Sequence, residues 1–298
     1  MTEQEWLTST ERQGMLAWLE DNDDALGPRS VSDRKLRLFT CACCRQVWQL
    51  LADDAPCRRC DGRGRRMESD DSWPERRPCK SCRGTGRLNR SRRAVEVVER
   101  YADGEATESQ LQDAFADSFR ALQARPGDVL AAAAHALTYE PSLLYRVPLQ
   151  IQAGLPNPAG SGRVQAALLR EVVGNPWQPM PSPWVNVPYK GGISRQVTVP
   201  WLLDSTPFFL AQAAYLERLP DGTLDPERLA VLADALEEAG CTDHALLRHL
   251  RGEERILVCK RCGKADTVNC NCDVPAWIPL RGPHVRGCWA VDLILGKE

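Results

Sequence analysis

Apolar positions along this chain recur mostly at helical spacing. Trp6 and Leu7, then Met15, Leu16, Trp18 and Leu19, place two short helices within residues 3–21. Ser32 stands as an N-cap with Asp33 in the first turn, and Leu36, Leu38, Phe39, Cys43, Val47, Leu50 and Leu51 form a broad stripe to about Ala52. Ala94, Val95, Val97 and Val98 set a helix over Ser91–Tyr101 that stops at Asp103-Gly104. Thr107-Glu-Ser-Gln110 is a capping box opening the next helix, to about Gln123. Asp128 opens another, to Leu137. Residues 141–160 read as irregular, with several prolines and Gly154, and a helix follows over Ser161–Val173. Ser205-Thr-Pro207, Asp225-Pro226-Glu227 and Thr242-Asp243 open three last helices, the first two with proline suited to the first turn. Within the helical body, Val185–Tyr189 and Ile193–Val199 flank Lys190-Gly191-Gly192, which predicts a short β-hairpin near 184–199.

The helical pattern breaks between Cys57 and Arg87. The chain there reads Cys57-Arg-Arg-Cys60-Asp-Gly62-Arg-Gly64, a spacer, then Cys79-Lys-Ser-Cys82-Arg-Gly84-Thr-Gly86. Each Cys-x-x-Cys turn aims two sulfurs at one ion, and four thiolates complete a tetrahedral structural zinc. The glycines permit positive φ and let backbone pass close to the metal. Four unrelated thiols would leave the repeated glycines without a reason.

A second cluster is Cys259-Lys-Arg-Cys262-Gly263, followed by Cys270-Asn-Cys272. It supplies another four thiolates, with a redox dithiol as the competing reading. The metal ligands expected are therefore Cys57, Cys60, Cys79 and Cys82 for one zinc, and Cys259, Cys262, Cys270 and Cys272 for a second. Iron suits a four-cysteine set as well. Cys41 and Cys44 share a helix face and read as small core residues. Joining them to His284 and Cys288 in a third site has no support in the pattern. His135, alone among alanines, reads as structural. His244 and His249 form no metal-binding pair with an adjacent carboxylate.

Composition adds two points. The net charge is −2, but Cys57 to Arg93 holds 13 basic and 5 acidic residues, a net of +8, so the rest carries −10. A basic module on an acidic body suits an acidic partner or nucleic acid, through Arg58, Arg59, Arg63, Arg65, Arg66, Arg83 and Arg87. The bland reading is that these arginines are simply solvated. Thirteen cysteines, with no basic-then-apolar leader and no run of about 20 apolar residues, suit a reducing cytoplasmic setting and metal binding over disulfides.

The paired Cys-x-x-Cys-x-Gly-x-Gly repeats resemble half of the cysteine-rich domain of DnaJ-type (Hsp40) co-chaperones. That resemblance implies a zinc fold over about thirty residues with peptide or nucleic-acid contact. The chain has no His-Pro-Asp tripeptide, so no co-chaperone role is implied. The helical frame resembles a multi-copy family of planctomycete proteins. The matching stretches are Thr2–Leu7, Ser32–Arg45, Ser91–Gly104, Leu232–Cys241 and His284–Glu298. This second resemblance implies architecture and carries no mechanism. In that family's pattern Leu51 runs quickly into Ser91, and Gly252 into Gly282, so both cysteine clusters read as insertions.

The fold expected is mainly α with two inserted zinc-stapled loop/β-hairpin modules: a helical body in residues 1–56 and 89–252 with a hairpin at 177–201, interrupted by the first, DnaJ-like module at 57–88. A zinc-ribbon-like module follows at 253–281, and a C-terminal segment at 282–298 packs on the body. The function expected is a non-enzymatic zinc-binding interaction protein with a protein or nucleic-acid partner. Closed four-cysteine sites leave no position for a catalytic water. Two alternatives stand beside it: nucleic-acid binding through the arginine-rich module, and a thiol or redox enzyme using Cys41/Cys43/Cys44 or Cys259/Cys262. No phosphate-binding glycine loop, Gly-x-Ser-x-Gly or paired-carboxylate motif is present, and no small-molecule substrate is suggested.

Overall fold

The computed structural model describes residues 1–22, 31–51, 56–67, 76–80, 82, 86–124, 127–138, 144, 146–155, 158–178, 184–188, 194–253, 257–259, 272, 277–279 and 282–297. The chain is mainly helical and divides into two compact units, Met1–Ala42 with Asn157–Glu298, and Cys43–Pro156. Among the described residues no helix is long and apolar enough to cross a membrane.

In the first unit, α1 (Glu3–Thr8) and α2 (Arg12–Asp21) cover the two short helices expected. Thr2 and Glu5 close a capping box on α1. Trp6 is fully buried, and its indole N–H donates to the Gly174 carbonyl at 3.1 Å. Trp18 stacks on Trp177 with ring centres 4.5 Å apart. Arg170 donates to the carbonyls of Trp6 and Ser9, both at 2.9 Å. These bonds hold the N-terminal helices against a long helix, Pro158–Val173, which starts three residues before Ser161.

The helix Asp33–Gln46 (α3) carries the division between units within it, and Lys35 N–H donates to the Ser32 cap at 3.3 Å. It stops short of Ala52. Arg92 donates from Nε to the Trp48 carbonyl at 2.9 Å, and the Arg45 guanidinium lies 3.9 Å from the Trp48 ring centre. From Val47 the bonding tightens to three-residue turns, Val47 N–H to Cys44 O at 3.2 Å and Trp48 N–H to Arg45 O at 3.1 Å, and the chain turns through Leu51.

The second unit continues with α4 (Arg90–Ala102), α5 (Glu108–Ala124), α6 (Val129–Ala136) and α7 (Val147–Ala153). Thr107 and Gln110 bond reciprocally at 2.9 and 3.3 Å, and Asp128 accepts from Leu130 and Ala131 N–H, both at 3.0 Å. Helix α7 corrects the irregular reading of 141–160. Pro148 sits in its first turn, where a missing N–H costs nothing, so there the proline starts a helix. Arg45 grips Glu99 through two bonds of 2.9 Å, a bidentate pair within this unit.

The long helix Pro158–Val173 is α8. The first unit then runs through a short turn of helix, α9 (Pro200–Leu203), then α10 (Ser205–Leu216), α11 (Pro226–Glu238) and α12 (His244–Arg251), to α13 (Trp289–Leu295). Asp204, Asp225 and Asp243 each cap the helix that follows. Leu229, Leu232, Leu236, Leu246, Leu250 and Val291 meet in one core, each buried apolar side chain contributing about 1.5–3 kcal/mol. Asp292 enters that region fully buried and is met by Arg34 at 2.7 Å and Lys35 at 2.6 Å.

Among the described residues, three antiparallel strand pairs are present: β1 (Arg65–Met67) with β2 (Arg76–Pro78), β3 (Trp184–Pro188) with β4 (Ser194–Thr198), and β5 (Leu257–Cys259) with β6 (Trp277–Pro279). Val185 lies opposite Val197, and Cys259 opposite Trp277.

Candidate metal centre

Two groups of four buried side chains can hold a metal ion among the described residues: Cys57, Cys60, Cys79 and Cys82, and Glu171, His249, His284 and Cys288. In each, the ligand atoms lie within 4.8 Å of one another.

The cysteine tetrad is built by the repeat. In the first copy, Arg63 N–H donates to Cys60 O at 2.8 Å and Gly62 N–H to Cys57 O at 3.1 Å, a tight turn. Asp61, Gly62 and Gly64 all take positive φ, 48°, 74° and 74°. That left-handed path turns Gly64 N–H toward the Cys60 sulfur at 3.3 Å, and the second copy repeats the bond, Gly86 N–H to Cys82 Sγ, also at 3.3 Å. The copies are tied crosswise. Cys57 N–H donates to Gly86 O, and Cys79 N–H to Gly64 O, both at 2.8 Å. Gly86 is required twice over: its φ is 76°, and a Cβ there would overlap the Gly62 carbonyl.

The sulfurs fit one ion. A tetrahedron with metal–sulfur bonds of about 2.3 Å has edges of about 3.8 Å. Cys57 and Cys79 sulfurs are 3.9 Å apart, and those of Cys60 and Cys82 are 3.6 Å apart. An iron–sulfur cluster, with several irons and sulfides between its cysteines, would need wider spacing. Burial, with the other thiols adding to it, pushes the Cys60 thiol up to about 11, so an ion entering must displace protons.

Around this tetrad, Arg58, Arg59, Arg63, Arg65 and Arg87 are exposed. Arg83 and the Arg66 side chain lie outside the described residues. So do Cys262 and Cys270 of the second cysteine cluster. Its other two members come together, the Cys259 and Cys272 sulfurs standing 3.8 Å apart.

The second tetrad corrects the sequence reading of His249, His284 and Cys288. His284 and Cys288 are joined by Glu171 and His249, while Cys41 and Cys44 belong to neither group. Glu171 lies on α8 beside Ala167 and Leu168, on the buried face. His249 lies three residues after Leu246 on the buried face of α12, whereas His244 is exposed. Gly282 brings the last segment onto α8, where a Cβ would stand 3.2 Å from the Ala167 carbonyl carbon. The His284 carbonyl is pinned by Leu224 N–H at 2.8 Å, and Cys288 N–H closes a turn on Val285 O at 3.0 Å. Gly287, at φ 89°, makes that turn possible against Leu38.

His284 Nδ1 is 2.8 Å from Glu171 Oε1, and His249 Nε2 is 3.5 Å from Glu171 Oε2 and 3.4 Å from Cys288 Sγ. Burial opposes charge on Glu171, but His284 and then His249 hold its carboxyl well below the usual range. Burial likewise opposes charge on His284, yet Glu171 prevails and raises it to about 9. His249 is raised in the same way. The signal available in sequence was slight: a carboxylate and an imidazole at positions where their helices otherwise turn apolar residues inward.

The remaining cysteines and His135 are core groups. Cys41, Cys43 and Cys44 are buried, and burial, with Glu99 adding to it, pushes the Cys44 thiol up, away from a reactive thiolate. His135 Nδ1 stands 2.8 Å from Ser118 Oγ, its ring between Phe115 and Phe119. No family model, curated protein or solved structure matches the chain.

Proposed function

We propose that this chain is a zinc-binding interaction protein without catalytic activity of its own, in which the Cys57/Cys60/Cys79/Cys82 site folds a basic loop module for an acidic partner. The observation that carries this reading is the convergence of four buried sulfurs at tetrahedral spacing, with exposed arginines on the same turns. Four protein ligands close the coordination sphere, so the metal shapes a surface and activates no water. The resemblance to half of a DnaJ-type cysteine-rich domain supports an inserted zinc-stapled β-module at 57–88, and the Cys259–Cys272 approach supports a second at 253–281. A reducing, cytoplasmic setting fits thirteen cysteines used as ligands and core thiols.

Exposure of Arg58, Arg59, Arg63, Arg65 and Arg87 favours nucleic acid as a second reading of the partner. Both readings are tested together by titrating zinc-loaded protein against fluorescent single- and double-stranded oligonucleotides and against polyglutamate. Binding should weaken steeply from low to physiological salt and fall at least about tenfold in R58A/R59A/R63A. Preference for oligonucleotide or polyglutamate identifies the partner class. Absence of binding to every probe, or binding unchanged by the substitutions, would overturn the proposal.

A further inference from the structure

We infer that Glu171, His249, His284 and Cys288 form a metal centre of their own, a mixed nitrogen–oxygen–sulfur site for a divalent ion of the zinc class. It is separate from the cysteine tetrad in residues, donor set and structural unit. The four ligand atoms converge within 4.8 Å of one another. One atom from each of four side chains faces a common centre, and the four residues are between 0 and 6 % exposed. With bonds of about 2.0–2.3 Å, a tetrahedral ion separates nitrogen from oxygen by about 3.4 Å and nitrogen from sulfur by about 3.5 Å. His249 Nε2 lies 3.5 Å from Glu171 Oε2 and 3.4 Å from Cys288 Sγ.

Two other readings fit less well. A cysteine nucleophile needs a base that uses one ring nitrogen on the thiol and the other on an orienting carboxylate. Here His249 Nε2 faces both the thiol and Glu171, and although His284 meets Glu171 through Nδ1 and also reaches Cys288, the sulfur is fully buried, out of a substrate's reach. An ion pair accounts for Glu171 with His284, and a thiol hydrogen bond for Cys288 with His249, but a single ion explains why all four ligand atoms lie within 4.8 Å of one another. Imidazole, thiolate and carboxylate together suit zinc or a neighbouring transition ion, not calcium or magnesium. Four closed ligands make the site a staple. It fastens α8 to α12 and to the turn before α13, with Glu171 113 residues from His284 and His249 39 residues from Cys288.

The test uses the full chain with both cysteine clusters disabled, C57S/C79S/C259S/C272S, titrated with Co²⁺. About one cobalt should bind per chain, with the visible bands of a tetrahedral ion and thiolate charge transfer from a single sulfur. Adding H249A should abolish both. No cobalt binding by a chain that keeps its helical circular dichroism would overturn the inference, as would binding that survives H249A. If the fourfold variant does not fold, zinc X-ray absorption on the unaltered protein decides. Imidazole scattering beside sulfur supports the site, and an all-sulfur shell refutes it. Loss of the cysteine module in C57S/C79S leaves this result standing, so the two metal readings fail separately.

Discussion

At the scale of single residues, Gly86 and His135 carry the clearest consequences. Alanine at Gly86 must adopt a left-handed conformation costing about 1–2 kcal/mol and must also displace the Gly62 carbonyl. Gly86→Ala should therefore weaken zinc binding by at least about tenfold in competition with a chromophoric chelator. Gly104→Ala has positive φ but no neighbour within 4 Å of the added Cβ. It should leave zinc binding unchanged, and equal affinity in both variants would show that the crosswise glycine packing is unimportant. His135 gives a pH signature. Desolvation lowers its folded pKa below 6.5. As pH falls through 6.5 the unfolded chain takes up a proton that the buried ring refuses, so stability falls with pH until the folded pKa is reached. Urea midpoints should decline more steeply below pH 6.5 in the unaltered chain than in His135→Gln. Parallel declines would contradict this origin.

At the scale of elements, what could be read from sequence depended on how local the signal was. Caps at Ser32, Thr107, Asp128, Asp225 and Asp243 lie within three residues of what they cap, and each was legible. The cysteine tetrad was legible for the same reason, because its two halves repeat one motif. Helix α7 was not, because a proline marks a helix start as readily as a break. The turn after α3 is met by Arg92 from 44 residues away, a contact that no window of local sequence contains. The mixed tetrad is the extreme case, with ligands drawn from two helices and a distant turn. Locality also bears on stability. The ties that build the cysteine module run between Pro56 and Arg87, so Cys57→Ser/Cys79→Ser should open roughly residues 57–88. Hydrogen exchange should speed there, while α4 to α7 retain protection. Loss of protection throughout Cys43–Pro156 would show instead that the metal holds the unit together.

For the whole molecule, the charge is as unevenly placed as the metal ligands. The net +8 of residues 57–93 is offset by −10 elsewhere, so the field that would attract the proposed acidic partner comes from one module and is screened beyond about 10 Å at 0.1 M salt. Among the described residues, each of the two units contains one buried tetrad. The most direct test of the account is zinc per chain, by mass spectrometry on protein purified without added metal, for the unaltered protein and Cys57→Ser/Cys79→Ser side by side. The variant should contain one zinc fewer per chain, whatever the other sites hold. Equal metal content in the two, or none in either, would contradict a zinc centre at Cys57, Cys60, Cys79 and Cys82.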